Sequence, residues 1–160
     1  MMKTVYIALG SNLDTPVMQL KSALAALAEL PDSNLLKVSS FYQSKPLGPQ
    51  DQPDYVNAVA QLETKLQPLP LLDQLQRIET AQGRVRLRRW GERTLDLDIL
   101  LYEDLILQSE RLTVPHYDMC NREFVMVPLY EISPNLIFPD GNKLEILVKR
   151  FIFHQMEIIH

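Results

Sequence analysis

Cysteine is nearly absent from this sequence of 160 residues, since Cys120 is its single example. A lone cysteine excludes an internal disulfide framework and a cysteine metal cluster, and it suits a reducing compartment. Histidine is scarce too, and His116, His154 and His160 lack the short spacing of a zinc pair. We therefore expect neither disulfides nor a zinc site in this protein.

Long apolar runs are missing as well. The apolar run near the N-terminus is shorter than a signal-peptide core, and the polar Ser11 and Asn12 follow it. No stretch approaches the length of a membrane-spanning helix. The net charge is −4, whereas general binders of nucleic acid or anionic membranes are usually basic. These features favour a cytoplasmic protein that binds neither nucleic acid nor membranes.

Two common catalytic signatures are also absent. The segment Gly10, Ser11 and Asn12 is too short to be a P-loop, so nucleotide binding would not follow the Walker plan. No serine–histidine or cysteine–histidine pairing suggests a covalent nucleophile. Any nucleotide chemistry must therefore use other residues.

The pattern that is present predicts one domain over residues 1–160, of the α+β class. Strands are expected at residues 4–10, 35–42, 55–64 and 95–102, and helices begin near Pro16 and Pro68. The order β-α-β-β-α-β is that of a ferredoxin-like core, an antiparallel sheet with helices on one face. Helices near 125–132 and 144–153 would be C-terminal additions.

Two carboxylates stand out in the fourth predicted strand. Asp96 and Asp98 are two residues apart, so strand alternation places them on one face, about 6–7 Å apart at the backbone. The opposite face would carry Leu95, Leu97, Ile99 and Leu101. A divalent cation would offset the cost of adjacent like charges, and magnesium accepts a few carboxylates together with water and phosphate. A simply solvated face is the alternative.

Arginines are concentrated directly before this strand. Residues 83–93 hold five of the sixteen basic residues of an otherwise acidic chain, namely Arg84, Arg86, Arg88, Arg89 and Arg93. Guanidinium groups offer forked donors that suit phosphate oxygens. A basic loop beside paired aspartates is what phosphoryl transfer requires, because metal and arginines neutralise the transferred group. A solvated basic loop, used for RNA, is the alternative.

Two further segments suggest ligand binding, but neither establishes it by itself. Tyr55 and Asn57 point the same way on a predicted strand, where an aromatic ring and an amide could hold a heterocycle. Ordinary strand positions explain them equally well. Residues 111–124 mix arginines, aromatics and His116, which could bind phosphate or serve as a loop residue.

Several of these segments together resemble the 6-hydroxymethyl-7,8-dihydropterin pyrophosphokinase family, in its bacterial monofunctional form. The most specific match is residues 89–100, RWGERTLDLDIL. The resemblance extends from about residue 4 to residue 141. Supporting segments are residues 8–13, 46–55, 76–79, 83–86 and 114–119.

The resemblance implies a reaction and a set of site residues. ATP would donate a pyrophosphoryl group to the hydroxymethyl of 6-hydroxymethyl-7,8-dihydropterin in folate biosynthesis, with Asp96 and Asp98 binding two Mg²⁺ ions in a monomeric enzyme. Arg84 and Arg93 would serve the transfer. The pterin would contact Ser44, Lys45, Leu47, Tyr55, Asn57, Trp90 and Phe124. ATP would contact Gln76, Glu79, Arg86, Arg89, Trp90, Arg93, Ile99, Arg111, Thr113, His116, Tyr117 and Arg122.

Two other functions are compatible with the same residues. One is a different metal-dependent nucleotidyl or phosphoryl transferase on this fold. The other is a small RNA-binding module, since ferredoxin-like sheets often bind RNA. The acidic pI of about 5.4 and the paired carboxylates disfavour the RNA-binding function.

Overall fold

The computed structural model describes residues 1–13, 15–45, 51–83 and 94–160. Its strands are β1 (Lys3–Ser11), β2 (Ser33–Val38), β3 (Phe41–Ser44), β4 (Tyr55–Thr64), β5 (Asp96–Tyr102), β6 (Leu107–Gln108), β7 (Thr113–Val114) and β8 (Glu157–Ile159). Its α-helices are α1 (Pro16–Ala28), α2 (Pro68–Ala81), α3 (Glu123–Ile132) and α4 (Leu144–Leu147), and 3-10 turns span Met119–Asn121 and Val148–Phe151.

The main sheet is antiparallel, and β1 lies between β5 and β4. Its order is β5-β1-β4-β3-β8, and β2 pairs with the part of β4 that β3 leaves free. Taking β2 and β3 as one interrupted strand, the chain order is β-α-β-β-α-β. The predicted ferredoxin-like α+β core is therefore confirmed. β6 and β7 form a separate small hairpin.

The single strand predicted over residues 35–42 is wrong, because two serines interrupt it. Ser39 stays bonded to β4, since its Oγ accepts the Val59 N–H at 2.9 Å. Ser40 turns away, and its N–H and hydroxyl both donate to Glu131 of α3 at 2.9 Å. Bonds to the side chain of Ser39 and to the distant Glu131 thus take the place of ladder bonds at this point.

One face of the sheet, the first face, is apolar along its length. Val5, Ile7 and Leu9 of β1 point into it, and α1 and α2 cover it. Pro16 stands in the first turn of α1, where a missing N–H costs nothing. Thr15, the residue before this helix, makes no side-chain cap bond, and its φ is 58°.

The other face, the second face, carries Tyr6 and Val59 and is only partly covered. Helix α3 packs on it through Met126 and Leu129, and Leu144 of α4 joins the same cluster. The two core helices α1 and α2 lie on one face, as expected, whereas the sequence did not indicate where the C-terminal additions would pack. The C-terminal additions supply the second layer, because the apolar second-face residues need their own cover.

A β-bulge at Leu100 reverses the alternation of side chains between the two faces along β5. Ile7 faces Ile99 while the adjacent Tyr6 faces Leu101, so Leu100 is the extra residue. Leu97 and Ile99 pack in the first-face core, but Leu100 and Leu101 pack in the second. The expectation that Leu101 shares a face with Leu97 is therefore wrong, because the inserted residue reverses the alternation.

The last elements differ from the sequence prediction. The helix expected over 144–153 is one α-helical turn followed by a 3-10 turn, and β8 pairs with β3 although no strand was expected there. In the part of the chain that the structure describes, no helix combines the length and the apolar character needed to cross a membrane.

Candidate active site

The candidate site lies at the end of the second face that α3 leaves open. A small cavity of about 110 Å³ lies there, against the strands and the start of α3. A wider polar groove of about 610 Å³ continues from it toward α2 and the β6–β7 hairpin. Five residues line both spaces, which therefore meet at Tyr55, Asp96, Asp98, His116 and Arg122.

Asp96 and Asp98 are at this junction, and their shared face is confirmed. In register, Asp96 lies beside Gly10 and Asp98 beside Ala8, both of β1. Both carboxylates are half-buried. Among the described residues, no group of three or more His, Cys, Asp and Glu side chains lies close enough to hold a metal. This donor set fits magnesium, because that ion takes one or two carboxylates and completes its shell with water and phosphate.

Glu79 fixes the strand between the two aspartates. Its Oε2 accepts the backbone N–H of Leu97 at 2.8 Å. β5 is an edge strand, so this N–H lacks a ladder partner on its outer side. The glutamate of α2 thus ties the helix to the segment that carries the carboxylates.

Tyr55 and Asn57 both line the cavity, as their predicted common orientation requires. Asn57 is only 8% exposed, and its Oδ1 accepts the Ser44 hydroxyl at 3.2 Å. Ser44 and the exposed Lys45 line the same cavity at the end of β3. An aromatic ring, an amide and the end of a strand therefore surround one space.

Phe124 reaches the cavity from the first turn of α3. The Arg122 guanidinium lies over its ring, 5.7 Å from the centroid, and Arg122 Nε donates to Asp118 Oδ2 at 3.2 Å. Hydrogen bonds from Asn121 and Arg122 hold the pKa of the Asp118 carboxyl below its usual value. The contacts with Phe124 and Asp118 thus fix the orientation of the Arg122 side chain where the cavity and the groove meet.

His116 lines both spaces as a neutral imidazole. Its Nδ1 accepts the Asp118 N–H at 3.2 Å, so its remaining proton is on Nε2. Burial, and then the nearby Arg122, lower its pKa to about 4, although Asp118 opposes the shift. Tyr117 stacks on the ring at 4.9 Å and is largely exposed.

The groove contains the other described residues that the resemblance assigned to ATP. Arg111 Nη2 donates to Asp73 at 2.6 Å and to Gln76 at 3.2 Å, which joins the hairpin connection to α2. The remaining residues of this set that line the groove are Glu79, Ile99, Thr113, His116, Tyr117 and Arg122. All eight described members are thus brought together.

Six predicted site residues lie outside the described residues: Leu47, Arg84, Arg86, Arg89, Trp90 and Arg93. Their assignments remain predictions.

Two residues that shape the site were not expected. Gly10 lines the cavity between Asp96 and Asn57, although the sequence marked it only as the end of a strand. Asp118 holds both His116 and Arg122. Its spacing of four residues from Arg122 was the available signal.

These features define the class of the protein: a ferredoxin-like enzyme whose cavity and polar groove meet at paired carboxylates. Residues 6–134 match the model of the family described as 7,8-dihydro-6-hydroxymethylpterin-pyrophosphokinase (HPPK). The chain belongs to this family, and its activity is that of a pyrophosphokinase.

Curated relatives agree over nearly the whole length. The chain is 67% identical to 2-amino-4-hydroxy-6-hydroxymethyldihydropteridine pyrophosphokinase of Haemophilus influenzae, across 97% of each chain. It is 53% identical to the enzyme of that name from Pseudomonas aeruginosa, across 98% of this chain and 97% of the other. It is also 40% identical to the folic acid synthesis protein fol1 of Schizosaccharomyces pombe, of which it covers 19%.

Solved structures show the same fold. The chain superposes on Plasmodium falciparum HPPK-DHPS crystallised with pteroate, with a TM-score of 0.75 at 12% identity. The match covers 95% of this chain and 43% of that longer chain. At this identity the likeness bears on the fold alone.

Proposed function

We propose that this pyrophosphokinase transfers the terminal pyrophosphoryl group of ATP to the hydroxymethyl group of 6-hydroxymethyl-7,8-dihydropterin, releasing AMP, in folate biosynthesis. The observation that supports the proposal is the meeting of the cavity and the groove at Asp96 and Asp98. A transfer between two different substrates needs two adjoining spaces with charge stabilisation at their boundary.

The cavity suits the pterin. Tyr55 and Phe124 offer aromatic surface from β4 and α3, and Asn57 offers an amide to the edge of the ring. Ser44 and Lys45 close the space at the end of β3. Leu47 and Trp90 complete the proposed pterin site.

The groove suits ATP. Arg111, Arg122 and the neutral His116 supply donors for phosphate oxygens, and Gln76, Glu79, Ile99, Thr113 and Tyr117 complete its lining. Arg84 and Arg93 would neutralise charge on the group in flight, with Arg86 and Arg89 assisting. The residues thus act mainly by positioning and electrostatics.

Magnesium dependence is part of the proposal. Asp96 and Asp98 would hold two Mg²⁺ ions together with the triphosphate, and the bound metal supplies Lewis-acid polarisation of phosphate oxygens. The spacing of the carboxylates and their position between both spaces support this assignment.

A direct assay tests the function. AMP formation from ATP should require both the hydroxymethyl-dihydropterin and Mg²⁺, and EDTA should abolish it. AMP formation without the pterin would indicate a different phosphoryl or nucleotidyl transferase. Salt-dependent RNA affinity that survives loss of Asp96 and Asp98 would instead favour an RNA-binding module.

We further propose a cytoplasmic monomer that binds neither nucleic acid nor membranes. The net charge of −4 supports the second part of this proposal. Light scattering at micromolar concentration and liposome co-sedimentation would test it, and a stable dimer or vesicle binding would contradict it.

A further inference from the structure

Gly10 occupies a special place in the sheet. In register it lies between Asp96 of β5 and Asn57 of β4. Its missing side chain would point to the second face, because Leu9 points to the first and Ala8 to the second. Neighbouring strands are about 4.8 Å apart, so the backbones of Asn57 and Asp96 are separated by two strand spacings.

The Asn57 amide extends into the space that a side chain at position 10 would fill. A Cβ on Gly10 would lie 2.8 Å from Asn57 Nδ2 and 4.0 Å from its Cγ. Carbon and nitrogen cannot approach so closely without a shift. The obstructing atom is the tip of a side chain, so the amide would move while the strands stayed in place.

Ser44 determines which end of the amide lies over Gly10. Its hydroxyl donates to Asn57 Oδ1 at 3.2 Å, which leaves Nδ2 on the side of β1. Within the described part of the chain, this is the only hydrogen-bond partner of the Asn57 side chain. Nδ2 has no partner among the described residues, and it remains accessible from the cavity that Asn57 lines, so a bound ligand can accept its hydrogen bond.

We propose that Gly10 is a positioning residue for the acceptor: it leaves room for the Asn57 amide, whose Nδ2 donates to an acceptor atom on the edge of the bound pterin. The inference rests on the function proposed above. Any side chain at position 10 displaces the amide and removes that bond, while the ATP groove is unaffected.

The backbone itself permits the substitution. Gly83 and Gly141 have positive φ values, whereas Gly10 lies in regular β1 structure. Alanine at position 10 therefore strains no dihedral angle. Gly10→Ala is expected to keep its fold and lose affinity for the pterin.

The test is a double-mutant cycle with Gly10→Ala, Asn57→Ala and the double variant. Calorimetry would measure binding of 6-hydroxymethyl-7,8-dihydropterin with Mg²⁺ and an α,β-methylene analogue of ATP present. Gly10→Ala should weaken pterin binding by about tenfold, the effect of losing one hydrogen bond to the ligand. In the Asn57→Ala background the same change should add nothing.

Two controls accompany the cycle. Binding of the ATP analogue alone should be unchanged in Gly10→Ala. Gly141→Ala, at a turn with φ of 90° away from the cavity, should lower the melting temperature but leave pterin affinity intact.

Three results would overturn the inference. These are wild-type affinity in Gly10→Ala, an equal loss in both backgrounds, and loss of the fold in Gly10→Ala. A wild-type protein that binds no pterin would refute the proposed function as well, so the two failures can be told apart.

Discussion

The two faces of the sheet are built from the same strands but have different roles. On the first face α1 and α2 cover an apolar surface completely, and Leu20 and Leu75 are fully buried there. On the second face α3 covers only part of the surface, and the uncovered end holds Asp96, Asp98 and Asn57. Side chains alternate along a strand, so residues that stabilise the core and residues that line the candidate site are neighbours in sequence but lie on opposite faces.

The sharpest way to test this separation is to remove a carboxylate from the second face. Asp98→Ala should reduce turnover to below about a thousandth of wild type, equivalent to about 4 kcal/mol of lost transition-state stabilisation. Its melting temperature should stay near that of wild type, because Asp98 is half-buried beside the cavity. Asp96→Ala should behave alike. Full activity in Asp98→Ala would refute the metal assignment.

The converse change removes a side chain from the first face. Leu20 of α1 is 0% exposed, so Leu20→Ala should cost about 2–5 kcal/mol in the free energy of unfolding. The folded fraction should keep its KM values, since Leu20 lines neither the cavity nor the groove. Urea denaturation followed by circular dichroism would measure the loss. Met18→Ala, an exposed change on the same helix, is the matched control.

Glu131 ties the helix of the second face to the sheet, so its loss should affect both stability and the candidate site. Its carboxylate accepts bonds from Ser40 N–H, Ser40 Oγ and Tyr42 OH, the last at 2.6 Å, and so ties α3 to β3. Glu131→Ala should cost about 1–3 kcal/mol in stability and also raise the KM for the pterin.

Tyr42→Phe removes one of these hydrogen bonds. It should therefore lower the stability and raise the KM for the pterin by less than Glu131→Ala does. Burial, and then the hydrogen bond to the Glu131 carboxylate, raise the pKa of the Tyr42 hydroxyl, so this bond persists throughout the neutral range. A Glu131→Ala variant with unchanged pterin KM would show that β3 keeps its position without the tie.

The effect that is smallest at neutral pH concerns His116, because its charge state changes only in acid. The folded pKa of His116 is about 4, below its unfolded value of 6.5. Between these values the unfolded chain binds more protons, so stability falls as pH falls from about 6.5 toward 4. His116→Asn should flatten that part of the profile. An NMR titration of the ring with a midpoint above 6 would contradict the shift.

Much of the fold could be predicted because the patterns are local. β4 has the bounds that the sequence indicated, Tyr55–Thr64, since β-formers fill the segment and prolines lie outside it. Asp96 and Asp98 share a face because alternation before the bulge is regular. Their proposed metal-binding role stays a prediction, because the spacing alone does not choose between a metal ion and solvent.

The features that sequence reasoning missed depend on distant partners. The break at Ser39 and Ser40 requires Glu131, about ninety residues away along the chain. β8 forms because β3 offers it an edge. The bulge at Leu100 depends on how β1 pairs with β5. The strand break, β8 and the bulge produce no periodic pattern in their own segments of the sequence, because each depends on contacts with distant residues.

The central place of β1 also bears on how the enzyme assembles. It pairs with Thr64 and Tyr102, which follow it by about sixty and one hundred residues. Topologies with such distant pairings fold slowly, because loop closure precedes the contacts that compensate for it. The acceptor cavity needs β1, β4, β5 and α3 together. Recovery of pterin binding during refolding should therefore coincide with the last cooperative step, rather than precede it.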